Sequence, residues 1–318
     1  MTASAKPRIS PYLVLAAGIF AVSFGSILAR LAQEEGTPSL VIAAYRTLVA
    51  TLILLPFMLM RHRDEVQAMT PTDWRLALVA GMALAVHFAT WISSLSYTSI
   101  AASTVLVSTS PLWVALVAPF FLGEPFTRWL KIGMVLALVG TVIISLGAMV
   151  STMVAVENGR LLFNTTDLAT GQQPLLGNTL ALIGSLGGAV YILIGRKLRT
   201  RLSLTSYATL VYGTAAVCLV LVVWLTGNSM LGYSPQVYLL FLLMGIVPQL
   251  LGHSSFNYAL GYLPAAYVGV VIFAEPIGAS LLALFIFGER PGPMVVLGSV
   301  FVLVGVLVSS RKSGEREG

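Results

Sequence analysis

Residues 97–144 read YTSIAASTVLVSTSPLWVALVAPFFLGEPFTRWLKIGMVLALVGTVII, and the pattern returns further along the chain. Tyr97, Pro111, Gly123, Glu124, Gly133 and Gly140 recur as Tyr262, Pro276, Gly288, Glu289, Gly298 and Gly305, all at an offset of 165 residues. Gly and Pro demand particular backbone geometry, so six such landmarks at one spacing mark a duplicated unit. The chain divides into a first repeat at 1–149, a linker at 150–174 and a second repeat at 175–318.

Of the 318 residues, 57% are hydrophobic and only 9% charged, with a mean hydropathy of +0.92. That much apolar surface cannot be covered in a soluble domain, and an integral membrane protein is expected. About 20 apolar residues are needed for a helix to cross roughly 30 Å of hydrocarbon. Runs of this length fall near 11–30, 39–60, 74–96, 100–122, 129–149, 175–195, 204–226, 236–260, 264–287 and 292–309. The expectation is an all-α integral membrane fold of ten transmembrane helices, five per repeat. A barrel is disfavoured because its strands would be about ten residues long and would alternate polar with apolar. Lys6 and Arg8 before the first run resemble a signal peptide, but cleavage would leave the first repeat incomplete, so that run is expected to be a retained helix.

Cytoplasmic loops collect Lys and Arg. With the N-terminus inside, every one of the 18 basic residues falls on the inner side except Arg30, Arg160, Arg290 and the intramembrane Arg46. The reading is a multi-pass protein of the cell (inner) membrane with both termini cytoplasmic. The net charge of +6 then reflects topology in the lipid bilayer, and no nucleic acid partner is expected. The single cysteine, Cys218, lies in an apolar run and cannot form an intrachain disulfide.

Five spans per unit is an odd number, so the second repeat enters the membrane from the opposite side to the first. Two inverted five-helix repeats characterise secondary transporters, in which a midplane site is exposed to each side in turn. The ten spans, the paired halves and a Pro followed thirteen residues on by the Glu of a Gly-Glu turn resemble the drug/metabolite transporter superfamily, specifically its EamA-type transporters. That resemblance covers nearly the whole chain and implies a carrier with a central cavity, often an exporter of amino acids or other small metabolites. The linker, with Glu157, Arg160 and Asp167, is longer than the resemblance implies and reads as a flexible outer connection or a cap. The sequon at 164–166 is expected to be accidental.

Ionisable groups at membrane depth are costly, by roughly 3 kcal/mol on insertion scales, and mark candidate sites. Glu275 is the sole acid within a span and precedes Pro276; its counterpart at the offset, Ser110, is neutral. Glu275 could carry a coupling proton or face a substrate amine. Arg46 lies about 10 Å below the outer surface, counting from Ser39 at 1.5 Å per residue, and could clamp a carboxylate, pair permanently with Glu275 or snorkel. His87 and His253 occupy corresponding helices, with Trp91 and Asn257 one turn on, as a cavity wall or a satisfied core would have. Tyr45, Tyr191 and Tyr258 add aromatic surface within spans, for substrate contact or for packing. The substrate-binding set from sequence is therefore Arg46, Tyr45, His87, Trp91, Ser110, Tyr191, His253, Asn257, Tyr258 and Glu275. Two histidines without a carboxylate or thiol cluster fall short of a metal site, and neither catalytic residues nor cofactors are expected. No phosphate-cradling Gly-Lys loop is present in the sequence, so energy would come from a gradient, with protons as the candidate coupling ion.

The function these features imply is secondary active transport of a small-molecule metabolite, an amino acid or similar zwitterion, by alternating access; the protein is not expected to be an enzyme. The rivals are a nucleotide-sugar or sugar-phosphate exchanger, which would want several deep cations, and a membrane-embedded enzyme acting on lipid-linked substrates. Gly133 and Gly140 with Gly298 and Gly305 are spaced seven apart in each repeat and give a close-packing or dimer face, consistent with a monomer or homodimer.

Overall fold

The computed structural model describes residues 9–98, 103, 106–157, 160–163, 173–287 and 292–311. Its first half contains α1 (Pro11–Glu34), α2 (Ser39–Arg61), the short α3 (Arg63–Gln67), α4 (Pro71–Ser94), α5 (Ser110–Phe121) and α6 (Arg128–Met153). A hairpin of β1 (Val154–Glu157) and β2 (Arg160–Phe163) follows, antiparallel with Glu157 opposite Arg160. The second half contains α7 (Pro174–Arg199), α8 (Leu204–Leu225), α9 (Pro235–Met244), a π-helical turn (Gly245–His253), α10 (Ser254–Leu260), α11 (Ala265–Ile272), α12 (Glu275–Phe287) and α13 (Pro293–Ser309).

Among the described residues seven helical stretches are long and apolar enough to cross a membrane, and α5 and α13 are shorter apolar helices. Their starts are written locally. Pro opens α1, α4, α5, α7, α9 and α13, where its missing amide hydrogen costs nothing. Thr70 and Asp73 form a capping box ahead of α4, and Ser203 and Ser234 accept amide hydrogens at the starts of α8 and α9. Gly123 ends α5 at φ +67°, a conformation that only glycine adopts cheaply.

Two expectations change, and within the 150–174 linker the described residues hold the end of α6, to Met153, and the β1–β2 hairpin. The ninth apolar run is not continuous: it breaks after Ile272 and restarts at Glu275, so Glu275 opens a helix instead of sitting mid-helix. Pro276, with no amide hydrogen and a ring that clashes one turn back, is the cause. Its counterpart Pro111 sits likewise at the start of α5, directly after Ser110. The eighth run is interrupted by the π turn, which contains Pro248. The Gly288-Glu289 turn and the 164–166 sequon lie outside the described residues.

Packing repeats at the same 165-residue offset. Helix α4 packs on α7, and the offset counterparts of those two, the 235–260 stretch and α1, also pack together. The α5–α7 contact corresponds to α12–α1, while α2–α8 and α6–α13 each join a helix to its own counterpart. On the last pair, a Cβ on Gly133 would stand 2.4 Å from the Gly305 carbonyl oxygen, and one on Gly140 would stand 2.5 Å from that of Gly298. The lower number of one helix meets the higher of the other, so α6 and α13 run antiparallel in backbone-to-backbone contact.

Candidate functional site

The deepest polar feature is Arg46 on α2, 1% exposed. Its Nε donates to Gln249 Oε1 at 2.7 Å, and its Cζ lies 4.2 Å from the centre of the Phe88 ring. A cation on an aromatic face in a desolvated place gains about 2 kcal/mol, which offsets part of the burial cost. Arg46 Nη1 has no hydrogen-bond partner in the protein. It points toward Gly25 on α1, where a Cβ would lie 3.5 Å away.

Gln249 comes from the π turn. Pro248 cannot supply the usual amide hydrogen, and the turn relaxes to i→i+5 spacing. In that spacing Gln249 and His253, four residues apart, share one face. Two glycines let the widened turn sit against its neighbours: a Cβ on Gly245 would meet Val49 Cβ at 2.5 Å, and one on Gly252 would meet Val22 Cγ2 at 2.4 Å.

Around Phe88 the remaining groups close in. His253 lies 5.2 Å from Phe88, 6.1 Å from Tyr191 and 6.5 Å from His87, measured between ring centres. His87 stacks on Trp91 at 6.1 Å, and its Nδ1 is 2.8 Å from the Gly184 carbonyl oxygen, so that nitrogen carries the proton. Tyr191 donates to Asn257 Oδ1 at 2.7 Å, Asn257 Nδ2 donates to Tyr212 at 3.0 Å, and Tyr212 is 3.2 Å from Ser254 Oγ. This last chain is satisfied and rigid. By contrast, Arg46 Nη1, Gln249 Nε2, Trp91 Nε1 and His253 Nδ1 are buried with no partner in the protein. A buried polar group left so costs about 1–3 kcal/mol, and four on linked side chains mark a place built for something else.

Glu275 is half-buried and makes no side-chain hydrogen bond or ion pair among the described residues. Of the alternatives for Arg46, a direct pair with Glu275 does not form among the described residues; Arg46 is held by Gln249 instead. The repeat shows why position 275 is free. In the first half Ser110 Oγ donates to the Ser185 carbonyl at 2.9 Å, across Gly188. In the second half the serine is on the other helix, Ser23 on α1, donating to the Glu275 backbone carbonyl at 3.1 Å. The same helix contact is tied from opposite sides, so the Glu275 carboxylate is not consumed by it.

Of the sequence-derived residues, Arg46, His87, Trp91, Tyr191, His253 and Asn257 come together, with Ser110 beside His87 at Gly188. Three do not join them by contact: Glu275, which has no side-chain hydrogen bond or ion pair among the described residues, Tyr45 and Tyr258. Tyr45 stacks on Phe241 at 4.2 Å and donates to the Met230 carbonyl, within a cluster completed by Tyr233 and Tyr238. Tyr258 bonds the Ile9 backbone and lies on Tyr262. Gln249, Phe88 and Tyr212 were missed; an amide directly after Pro248 in an apolar run was the available signal for the first. Among the described residues no cluster of His, Cys, Asp or Glu could hold a metal ion.

A second polar junction ties the halves together at one end. Glu124, from the Gly-Glu turn, accepts from Arg196 Nε at 2.5 Å and from the Ala265 amide at 2.9 Å, while Arg196 also bonds the Leu260 carbonyl. Glu124→Ala removes both acceptor bonds. It should cost about 1–3 kcal/mol and speed hydrogen exchange at the Ala265 amide, read by mass spectrometry in detergent. Unchanged exchange there would show that the junction is open in solution.

Apolar helices closed around an under-satisfied polar centre are the architecture of a multi-pass membrane transporter. The chain belongs to the EamA-like transporter family, whose profile matches residues 9–146 and 175–311. It is 24% identical to an uncharacterized transporter of Clostridium kluyveri over 88% of this chain and 86% of that one. It is 25% identical to the uncharacterized transporter YwfM of Bacillus subtilis over 96% and 95%, and 27% identical to WAT1-related protein At1g44800 of Arabidopsis thaliana over 68% and 61%. A crystal structure with 18% sequence identity superposes at a TM-score of 0.74, covering 96% of this chain and 97% of that one, and shares the fold.

Proposed function

We propose that the chain is a ten-span secondary carrier of two inverted five-helix repeats that moves an amino acid or similar zwitterion outward by alternating access. It would sit in the cell inner membrane with both termini cytoplasmic. The inverted arrangement is supported by the 165-residue offset, by helix contacts that recur in exchanged pairs and by the antiparallel α6–α13 seam.

The observation that carries the substrate reading is the partnerless Arg46 Nη1 beside three further unpartnered polar atoms, all within an aromatic enclosure. A carboxylate would satisfy Arg46 with charge-assisted bonds, and Glu275 would take the ammonium or a coupling proton. With Arg46 as the one cation among these groups, a nucleotide-sugar diphosphate would be under-neutralised. On this topology a hollow of about 180 Å3, lined by Pro38, Ser39, Leu40, Ser93, Ser96 and Tyr97, lies on the outer side, its Ser93 two residues along α4 from Trp91, and offers an exit. Outward movement follows the resemblance to exporters.

The test is counterflow in proteoliposomes with labelled amino acids, nucleotide sugars and polyamines, with Glu275→Gln run alongside. Exchange of an amino acid is the expected result; exchange of nucleotide sugars alone would replace the substrate reading. Glu275→Gln should keep exchange and lose its dependence on pH. An unaltered pH profile would remove Glu275 from coupling.

A further inference from the structure

We infer that Gln249 is the specificity-determining residue of this site: it orients Arg46 through Nε, and with it forms a carboxylate cradle whose unpartnered donors are Arg46 Nη1 and Gln249 Nε2. The inference rests on the substrate reading above and adds to it the residue that decides which anion is accepted.

The orientation of the Gln249 amide is fixed by its partner. Arginine has donors and no acceptor, so the atom 2.7 Å from Arg46 Nε must be the amide oxygen, and the NH2 group must face away from it. Both side chains are fully or almost fully buried, at 0% and 1% exposure. Phe88 lies against the face of the guanidinium, and the bond through Nε engages the edge that Nε shares with Nη2, which leaves Nη1 on the opposite side. Arg46 Nη1 and Gln249 Nε2 are both buried and both without a protein partner.

Guanidinium and amide N–H groups are donors only, which suits the two oxygens of a carboxylate. A primary carboxamide would set its own NH2 against one of them. A phosphate monoester would bring a third oxygen and a second negative charge, with only one guanidinium to meet them. Gln249 reaches this position because the π turn advances it relative to an α-helical register. The offset counterpart of the π turn lies within α4, which is regular helix there, so the first repeat supplies no counterpart of Gln249.

The test uses the purified full-length chain in detergent and reads thermal stabilisation by ligand. The probes are the proteinogenic amino acids, their carboxamides, and acetate, lactate and benzoate, against wild type, Gln249→Glu and Gln249→Asn. In Gln249→Glu the new carboxylate would occupy Arg46 and repel a bound one. Wild type is expected to be stabilised by acids and not by their amides. Gln249→Glu should lose at least tenfold in apparent affinity for the same acid, and Gln249→Asn, which withdraws the amide by one methylene without changing charge, should lose a smaller factor. If Gln249→Glu is not monodisperse, the Asn variant carries the comparison.

Equal affinity for an acid in wild type and the soluble variants overturns the role of Gln249 while leaving the substrate reading intact. Stabilisation by acetate or benzoate but by no amino acid keeps the carboxylate cradle and overturns the zwitterion reading. Stabilisation by amides as strongly as by acids, or by no carboxylate at all, overturns the cradle.

Discussion

Arg46→Ala is expected to weaken binding of any carboxylated substrate about a hundredfold or more and to abolish its counterflow, with the protein still folded. The magnitude follows from what the guanidinium can offer. A charge-assisted hydrogen bond is worth about 1.5–3 kcal/mol, and truncating one side of a desolvated charge pair costs about 2–5 kcal/mol because the other charge is left buried and alone. At about 1.4 kcal/mol per decade, the middle of that range is two orders of magnitude or more.

Folding has a compensating ledger in the free protein. Removing Arg46 forfeits its stacking on Phe88 and its bond to Gln249, but it also removes a buried cation whose Nη1 has no partner. Replacing an under-paired buried charge is often close to neutral for stability. Gln249 Oε1 would lose its donor, at about 1–3 kcal/mol. A thermal midpoint only a few degrees below wild type with substrate stabilisation gone is the expected pair of readings. Full counterflow by the variant in proteoliposomes would remove Arg46 from the site.

The parts of this arrangement visible in the sequence are those carried by rare residues. A charge at membrane depth, two histidines on corresponding helices and a Gly-Pro pattern repeated at one spacing stand out because each is costly in an apolar run. Gln249 did not stand out, since a neutral amide carries no comparable penalty on inspection and its direction depends on the π turn. An extra residue in a turn swings every later side chain around the axis, and a 3.6-residue period cannot register it. Tyr45 and Tyr258 show the opposite error. Aromatic rings in spans are easily seen, yet packing alone decides whether they face the centre; Tyr45 went to the Phe241 cluster and Tyr258 to the Ile9 backbone. The helix restart at Glu275 was half-legible: Pro276 announced a weakness, whereas the bond from Ser23 to the Glu275 carbonyl comes from another helix and leaves no local signal.

The glycine seam gives the second large effect, this time on stability. Gly140→Ala should destabilise the folded protein by about 1–3 kcal/mol or more, because the added methyl group has nowhere to go. Its carbon would lie 2.5 Å from the Gly298 carbonyl oxygen, 2.7 Å from the Val302 amide nitrogen and 2.7 Å from Val302 Cγ2. Two of these are backbone atoms in a helix, which cannot rotate aside as a side-chain tip can, so α6 and α13 must separate along their length. Gly305→Ala meets the same obstacle at the Gly133 carbonyl oxygen, 2.5 Å away, and at the Ala137 amide nitrogen, 2.7 Å away. Gly292→Ala supplies the control, since no atom lies within 4 Å of a Cβ there. Thermal unfolding of the three variants in one detergent separates the causes: Gly140 and Gly305 should fall together and Gly292 should stay near wild type. The double variant Gly140→Ala with Gly298→Ala should cost less than the two single changes added, because one separation of the helices relieves both clashes. Full additivity would mean that the two contacts yield independently, and the seam would then be flexible enough to slide.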